Sequence, residues 1–527
     1  MSGLVQLSLP LGIQAIIGFS FGAQLVVSIY VLILLVVLGA FIVGVLNLNL
    51  IKLIEILQQK IFAKSAIEIT ETLLNIDLQD NNKFYLPEKV NRYFEIFSIQ
   101  KGLSKLLLDI PLASIQIIIG LIVLAFYESS FIVFGIFLII LLWLILKYTS
   151  NLGLLTSLKE SNDKYELASW LEDIARTVHT FKFAQNSDLA IRNSDELSAT
   201  YLKDRNQHFN VLLIQYKALI AFKVLITAAM LGIGTYLLIE QKINIGEFIA
   251  AEIVILMVIG ATEKLIYHLD SLYDVAAGLA KLESIMEQPT EKDGQHDWNP
   301  LTSGAPSYRM SNLNFRFDNS KKEVLKNINL TIPSNGITVI VGNEGDGKTT
   351  FLKLMASLYR QYEGSLQMDD LELSSYTTAS IRQYSGFYFR SQEIISGSIM
   401  ENITLGKNGI VSGDVLNLIK ELKFQSIIHG NTNGLESILD PFGSRLSTNM
   451  IKKILLLRAL VHQPKMLFMD EPFIGLFDAE RNSLMSYLQK LKSQSTIFII
   501  ANDAEVWQVS DRMISLSDGE AEIKESR

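Results

Sequence analysis

The chain of 527 residues contains no cysteine. Disulfides, thiolate metal sites and cysteine nucleophiles are excluded with it. Charge is scarce as well. Only 19% of residues are Asp, Glu, Lys or Arg, the net charge is −8, and no charged residue occurs between Met1 and Ile51. A chain with that balance lacks the basic face that neutralises phosphates, so no nucleic-acid partner is expected. The N-terminus has no basic n-region, so a cleaved signal peptide is not expected either. Proline is rare, ten in all, and three of the ten (Pro289, Pro300, Pro306) fall within 287–306. That stretch reads as a linker between a segment 1–286 and a segment 307–527.

Apolar residues are what the chain has instead: 49% of the sequence, with a mean hydropathy of +0.30. This is too greasy for an ordinary cytosolic enzyme and indicates a chain partly in lipid. Six apolar stretches precede residue 270, at 4–20, 26–48, 106–126, 131–148, 212–239 and 248–265. Most reach the ~20 residues needed to cross a hydrocarbon core. The first is short and carries Pro10, which reads as a truncated span or a natural start lying upstream. The connections 21–24, 127–130 and 240–247 are brief, whereas about 57 and about 63 residues separate spans two from three and four from five. Those long segments hold Lys52, Lys60, Lys64, Arg92, Lys101, Lys159, Lys164, Arg176, Lys203 and Arg205. The positive-inside rule places them in the cytoplasm, together with both termini. Recurring apolar positions make them helical, running down and back with turns near 81–83 and 186–188. Segments near 77–90 and 176–190 then become contact pads for a cytoplasmic domain. Lys217, Lys223, Glu263 and Lys264 stand at the cytoplasmic ends of spans five and six, either snorkelling to the interface or forming a polar wall of a substrate path.

After Pro306, short β-rich runs alternate with helical patterns, the texture of α/β layers. A strand over 336–341 leads into Gly342-Asn343-Glu344-Gly345-Asp346-Gly347-Lys348-Thr349-Thr350, followed by a helical pattern over 351–359. This fits G-x-x-x-x-G-K-[ST] in its strand–loop–helix setting. The glycines let backbone N–H groups close around phosphate oxygens, Lys348 adds charge at the β/γ-phosphates, and Thr349 offers a hydroxyl to Mg²⁺. A second apolar strand, 465–469, ends in Asp470-Glu471-Pro472. A carboxylate at a strand's carboxyl end beside such a loop can hold the Mg²⁺ shell, and the next can polarise an attacking water. ATP and Mg²⁺ are therefore the expected cofactors.

With these motifs the chain resembles an ATP-binding cassette exporter half-transporter, six spans fused to one nucleotide-binding domain, over essentially its whole length. SGSIMENI (396–403) resembles the exporter stretch after the Q-loop, and FRFDNSKKEVLKNINLTIP (315–333) the opening of the cassette, with Phe317 where an aromatic stacks on adenine. ILLLRAL (454–460) resembles the helix after the signature, and Asp478 matches the D-loop aspartate. LPLGIQAIIG (9–18) is similar to the first-span region of exporters that secrete peptides or proteins. The implied fold is an α-helical six-span membrane domain with long cytoplasmic helical extensions, then an α/β P-loop (RecA-like) domain with a helical subdomain. The implied assembly is a homodimer or a heterodimer with a second half-transporter, in a bacterial inner membrane with membrane lipid around it. It moves an unspecified substrate by alternating access, with room for a periplasmic adaptor.

The chain departs from the family at the clamp. Where L-S-G-G-Q is usual it has Leu446-Ser447-Thr448-Asn449-Met450. Ser447 keeps a hydroxyl for the γ-phosphate, Thr448 and Asn449 add bulk where backbone must approach closely, and Met450 cannot donate. Asn502 replaces the switch histidine and cannot become cationic. Arg390 aligns with the Q-loop glutamine, unless the loop is two residues shorter and Gln392 serves, also at the metal. Glu344 and Asp346 put carboxylates beside a triphosphate, unfavourable unless they point to solvent. Glu471, Lys348 and Asn502 are the catalytic candidates, and slowed hydrolysis is the expectation. The alternatives are a non-pumping membrane ATP sensor, or the impaired half of a heterodimer.

Overall fold

The computed structural model describes residues 12–13, 15–16, 27–79, 86–184, 187–317, 320–428, 433–443 and 445–525. The chain divides into two compact units, Met1–Leu74 with Phe84–Gln288, and Asn75–Lys83 with Pro289–Arg527.

The first unit is helical. Its long members are Val27–Leu74 (α1), Ile110–Tyr127 (α2), Ser130–Arg176 (α3), Leu189–Ile239 (α4), Ile245–Tyr267 (α5) and Leu269–Met286 (α6). Among the described residues, five helical runs are long and apolar enough to cross a membrane. The expected first span, 4–20, lies outside the described residues except for helical turns at 12–13 and 15–16, and the expected turn at 81–83 lies outside them entirely. Spans two, four and five do not stop where their apolar stretches stop. α1, α3 and α4 continue unbroken to 48, 47 and 51 residues. None contains proline, so nothing removes a hydrogen bond at the change from apolar to charged sequence. At 1.5 Å per residue each is roughly 70 Å long. The turn expected at 186–188 falls between Val178–Phe183 and α4, with residues 185 and 186 outside the described set.

Side chains from α2 to α5 make the core of this unit, among them Ala113, Phe131, Phe222, Ile226, Val254 and Val258. Small residues set the closest approaches, as expected where lipid supplies no hydrophobic drive between helices. A β-carbon at Gly153 would stand 2.5 Å from the Tyr273 ring. Fully buried Gln215 donates to Thr149 Oγ1 at 3.0 Å and to the Tyr273 hydroxyl at 2.8 Å. Lys223 and Glu263 pair with each other across α4 and α5 at 2.7 Å. The sequence offered snorkelling or a polar wall for them; both are half-buried, and the charge of each is met by the other helix.

The second unit has two sheets. Tyr308–Phe315 (β1), Leu325–Ile332 (β2), Glu363–Met368 (β4) and Leu371–Glu372 (β5) form an antiparallel sheet in the order β2-β1-β4-β5. Gly336–Val341 (β3), Ser385–Tyr388 (β6), Met466–Asp470 (β9), Thr496–Ile500 (β10), Arg512–Ser517 (β11) and Glu520–Glu525 (β12) form the second, in the order β12-β11-β3-β10-β9-β6. Only β12 runs antiparallel there. β9 and β10 are buried throughout, which suits a parallel sheet covered on both faces. A helical layer with Ile399–Thr404 (α8), Ser412–Leu422 (α9) and Thr448–Leu460 (α10) contributes Ile399, Leu418, Leu456 and Leu460 to the same core as Val339 and Met469. Gly397–Ser398 (β7) and Ile438–Leu439 (β8) form a short two-stranded antiparallel pair within it.

The proline-bearing stretch 287–306 is more structured than its composition implies. Trp298 is buried, donates to Asp369 Oδ2 at 3.1 Å and meets Tyr384 edge-on. Residues 75–79 belong to this second unit: Asp77 N–H donates to the Pro289 carbonyl at 2.8 Å, and Gln79 Nε2 to that of Gln361 at 2.8 Å.

Candidate functional site

The site forms where adjacent parallel strands end. β3 runs into the glycine-rich loop, and the helix Lys348–Met355 (α7) begins at the lysine itself and stops four residues short of the expected 359. Gly347 has φ +93°, and a β-carbon there would press on the Val324 carbonyl at 3.0 Å, so the loop needs glycine at that point. The first turn of α7 presents free N–H groups beside the loop, an arrangement that favours an anion. Lys348 Nζ donates to the carbonyls of Gly342 at 2.8 Å and Asn343 at 2.6 Å, which holds its charge over the loop mouth.

β9 carries Asp470 at its last position, and Thr349 Oγ1 donates to Asp470 Oδ2 at 3.0 Å. β10 lies between β3 and β9, with Ile500 level with Asp470, and delivers Asn502 just past its end. β6 lies on the far side of β9 with Tyr388 level with Met469. Two residues further along each, Arg390 Nη2 forms an ion pair with Glu471 Oε2. Glu471 takes φ +53°, uncommon for a side-chain-bearing residue, and its N–H donates to the Ile500 carbonyl at 3.0 Å. Together these residues line one cleft of about 580 Å³, which includes Glu344, Gly345, Gly347, Lys348, Thr349, Thr350, Arg390, Asp470, Glu471 and Asn502.

The other expected residues stand elsewhere. Phe317 is packed edge-on to Phe315 and Tyr359, with centroids 5.0 and 5.7 Å away. Gln392 turns back on its own loop, its Oε1 accepting the Phe389 N–H at 3.1 Å, so it is Arg390 that faces the cleft. Asp346 neither faces solvent freely nor lines the cleft. Its Oδ2 accepts the Asn343 N–H at 2.7 Å, which uses one donor of the loop internally. Ser447 caps α10, its Oγ accepting the Met450 N–H at 3.2 Å. Asp478 is exposed at the start of the helix Asp478–Leu491 (α11).

Two features had no sequence signal strong enough to find them. Val324, just ahead of β2, and Ile474, three residues past Glu471, complete the cleft wall. Lys453, in the apolar run of α10, and Glu480, on α11, form a buried ion pair at 2.5 Å. Nearby, burial holds the Lys452 ammonium below the usual lysine range, with Arg390 pushing the same way and Glu471 opposing. Burial likewise pushes the Tyr388 hydroxyl upward. A hydroxyl and a carboxylate oxygen, Thr349 with Asp470, are hard donors that fit Mg²⁺, an ion that takes few protein ligands.

The ABC transporter family model matches residues 325–474. The leukotoxin export ATP-binding protein LtxB of Aggregatibacter actinomycetemcomitans is 27% identical over 290 residues, 55% of this chain and 41% of that protein. The alpha-hemolysin translocation ATP-binding protein HlyB of Escherichia coli O157:H7 is 24% identical over 354 residues, 67% of this chain and 50% of that protein. The chain thus spans about half the length of the curated relatives it matches. A bacterial Atm1-family ABC exporter with ATP bound shares the fold, with a TM-score of 0.84 at 18% identity over 99% of this chain and 93% of that one.

Proposed function

From the match of residues 325–474 to the ABC transporter family model and the fold shared with an ABC exporter, we propose that the chain is one half of an ATP-driven membrane exporter. The observation that carries this reading is the convergence of Lys348, Thr349, Asp470 and Glu471 on one cleft at the ends of β3 and β9. The loop and the N-terminus of α7 bind the triphosphate, and Lys348 orients its β/γ end. Thr349 and Asp470 would hold Mg²⁺, which when bound neutralises phosphate charge. Glu471 accepts a proton from the water whose oxygen bonds to the γ-phosphorus. The bond from that phosphorus to the β–γ bridging oxygen breaks, giving ADP and phosphate. Asn502 donates its amide to the γ-phosphate.

The working unit is a dimer whose second chain supplies the segment equivalent to 446–450, and its alternating access moves a substrate out of the cytoplasm. The second unit lies on the cytoplasmic side of a bacterial inner membrane, a reading supported by the lysines and arginines of the long inter-span segments. Two relatives are named for toxin export and translocation, which supports testing a polypeptide cargo and a periplasmic adaptor first.

Hydrolysis is slow in this chain alone. Thr448 and Asn449 open α10 where glycines would let a phosphate approach, and a missing preorganised donor costs ~10²–10³ in rate. These same residues favour a second reading, in which a more standard partner chain completes one good site. Full-length protein in lipid nanodiscs should bind ATP and turn over well below ~1 s⁻¹, and Glu471→Gln should remove the turnover while keeping binding. Turnover by the chain alone at ~1–100 s⁻¹ would sink the slow-site proposal.

A further inference from the structure

The parallel register of β6 and β9 has a consequence for chemistry. Tyr388 and Met469 are paired, so the residues two positions on, Arg390 and Glu471, leave the sheet side by side. Glu471 Oε2 is buried and accepts no hydrogen bond, and Arg390 is its one salt-bridge partner among the described residues. The Arg390 side chain as a whole is mostly exposed, at 61%, and lines the cleft rather than lying in the core. Gln392, the alternative polar residue of this loop, is committed to its own turn. Arginine has five donors and no acceptor, so Arg390 cannot serve as a metal ligand in the way an amide oxygen can.

We propose that Arg390 is a latch on Glu471: it holds the general-base carboxylate in an ion pair, so the cleft binds ATP with its base withheld from water. The proposal rests on the reading of this cleft as an ATP site. In the latched state the guanidinium offsets the carboxylate's charge, which lowers its pull on the proton of a water beside the γ-phosphate. Release requires that Arg390 leave Glu471, and the exposure of its side chain leaves room for that movement. This limit on hydrolysis lies within one chain, distinct from the bulk at 448–449 that acts across the dimer.

The test uses full-length protein in lipid nanodiscs as wild type, Arg390→Gln, Arg390→Lys, Glu471→Gln and the double variant Arg390→Gln/Glu471→Gln. MANT-ATP titration with and without Mg²⁺ reports binding, and phosphate release at saturating ATP reports kcat. Arg390→Gln should raise kcat ~10-fold or more, the order expected on freeing a part-buried carboxylate from one close ion pair, while the Kd moves less than ~3-fold. Arg390→Lys, which keeps charge but loses the fork, should fall between. The double variant should show no gain, because the gain acts through Glu471. A kcat that stays level or falls in Arg390→Gln overturns the latch, and so does a Kd weakened by ~10-fold or more in both Arg390 variants, which would make Arg390 a phosphate ligand. Rates at the Glu471→Gln background in every variant overturn it as well. Failure of the wild type to bind MANT-ATP removes the ATP-site reading itself, an outcome separate from binding without a rate gain.

Discussion

Lys453→Met tests how α10 is tied to α11, the helix that follows Glu471. Lys453 Nζ lies 2.5 Å from Glu480 Oε1 and 3.0 Å from Ser426 Oγ, with the two charged side chains 4% and 8% exposed. Glu480 also accepts the Phe477 N–H at 3.3 Å, closing the first turn of α11 beside Asp478. At an effective dielectric of about 20, charges 2.5 Å apart attract by roughly 7 kcal/mol, much of it offset by desolvating both ions. Methionine keeps the volume and leaves Glu480 as a buried, uncompensated carboxylate. Breaking one side of such a pair costs ~3–5 kcal/mol. For a unit of this size that lowers its unfolding temperature by roughly 10 °C. The assay is thermal unfolding of the full chain in nanodiscs, with Glu480→Gln and the double variant completing the cycle. The double variant should recover most of the loss, because neither charge is then stranded, with a coupling of ~2 kcal/mol or more. A Lys453→Met change within ~1 kcal/mol of wild type, or strictly additive effects, would refute the claim that this pair is desolvated.

Three further outcomes are expected. Phe317→Ala should weaken MANT-ATP binding by ~3–10-fold, the worth of one aromatic stacking contact, with kcat at saturation unchanged; unaltered affinity would leave Phe317 a packing residue against Phe315 and Tyr359. His462 is held neutral mainly by burial, its pKa lowered to about 4. Its folded value lies below its unfolded one, so its contribution to stability is complete above pH ~6.5 and is lost as pH falls toward 4; His462→Asn should flatten that part of the profile by on the order of 1–3 kcal/mol. Gly153→Val should destabilise the membrane unit by ~1–3 kcal/mol, because its β-carbon meets the Tyr273 ring, and Gly153→Val with Tyr273→Leu should recover part of the loss in thermal scans.

The long helices and the glycine-rich loop were legible in the sequence because each depends on neighbours in the chain. Apolar runs of span length and unbroken helical periodicity make α1, α3 and α4. Gly342–Thr350 needs only local backbone geometry to form its cradle, and Asp470-Glu471 announces itself at the end of a buried strand. At 287–306 three prolines read as a linker, and composition gave no sign that Trp298 within it packs into the core. It could not decide among Lys223, Glu263, Arg390 and Gln392 either, since an ionisable residue's role depends on what faces it.

Sequence by itself therefore determined that this is a multi-span membrane chain with a phosphate-binding loop and a carboxylate pair, because hydrophobic length and loop chemistry are properties of contiguous residues. Only the tertiary structure decided that Arg390 meets Glu471, that Asp346 occupies a loop donor, and that Lys453 is neutralised by Glu480. Arg390 and Glu471 are brought together by the register of parallel strands far apart in the chain, and Lys453 and Glu480 by the packing of two helices. Asp346 is closer to home, but its partner is fixed by how the loop folds and not by which residues it contains.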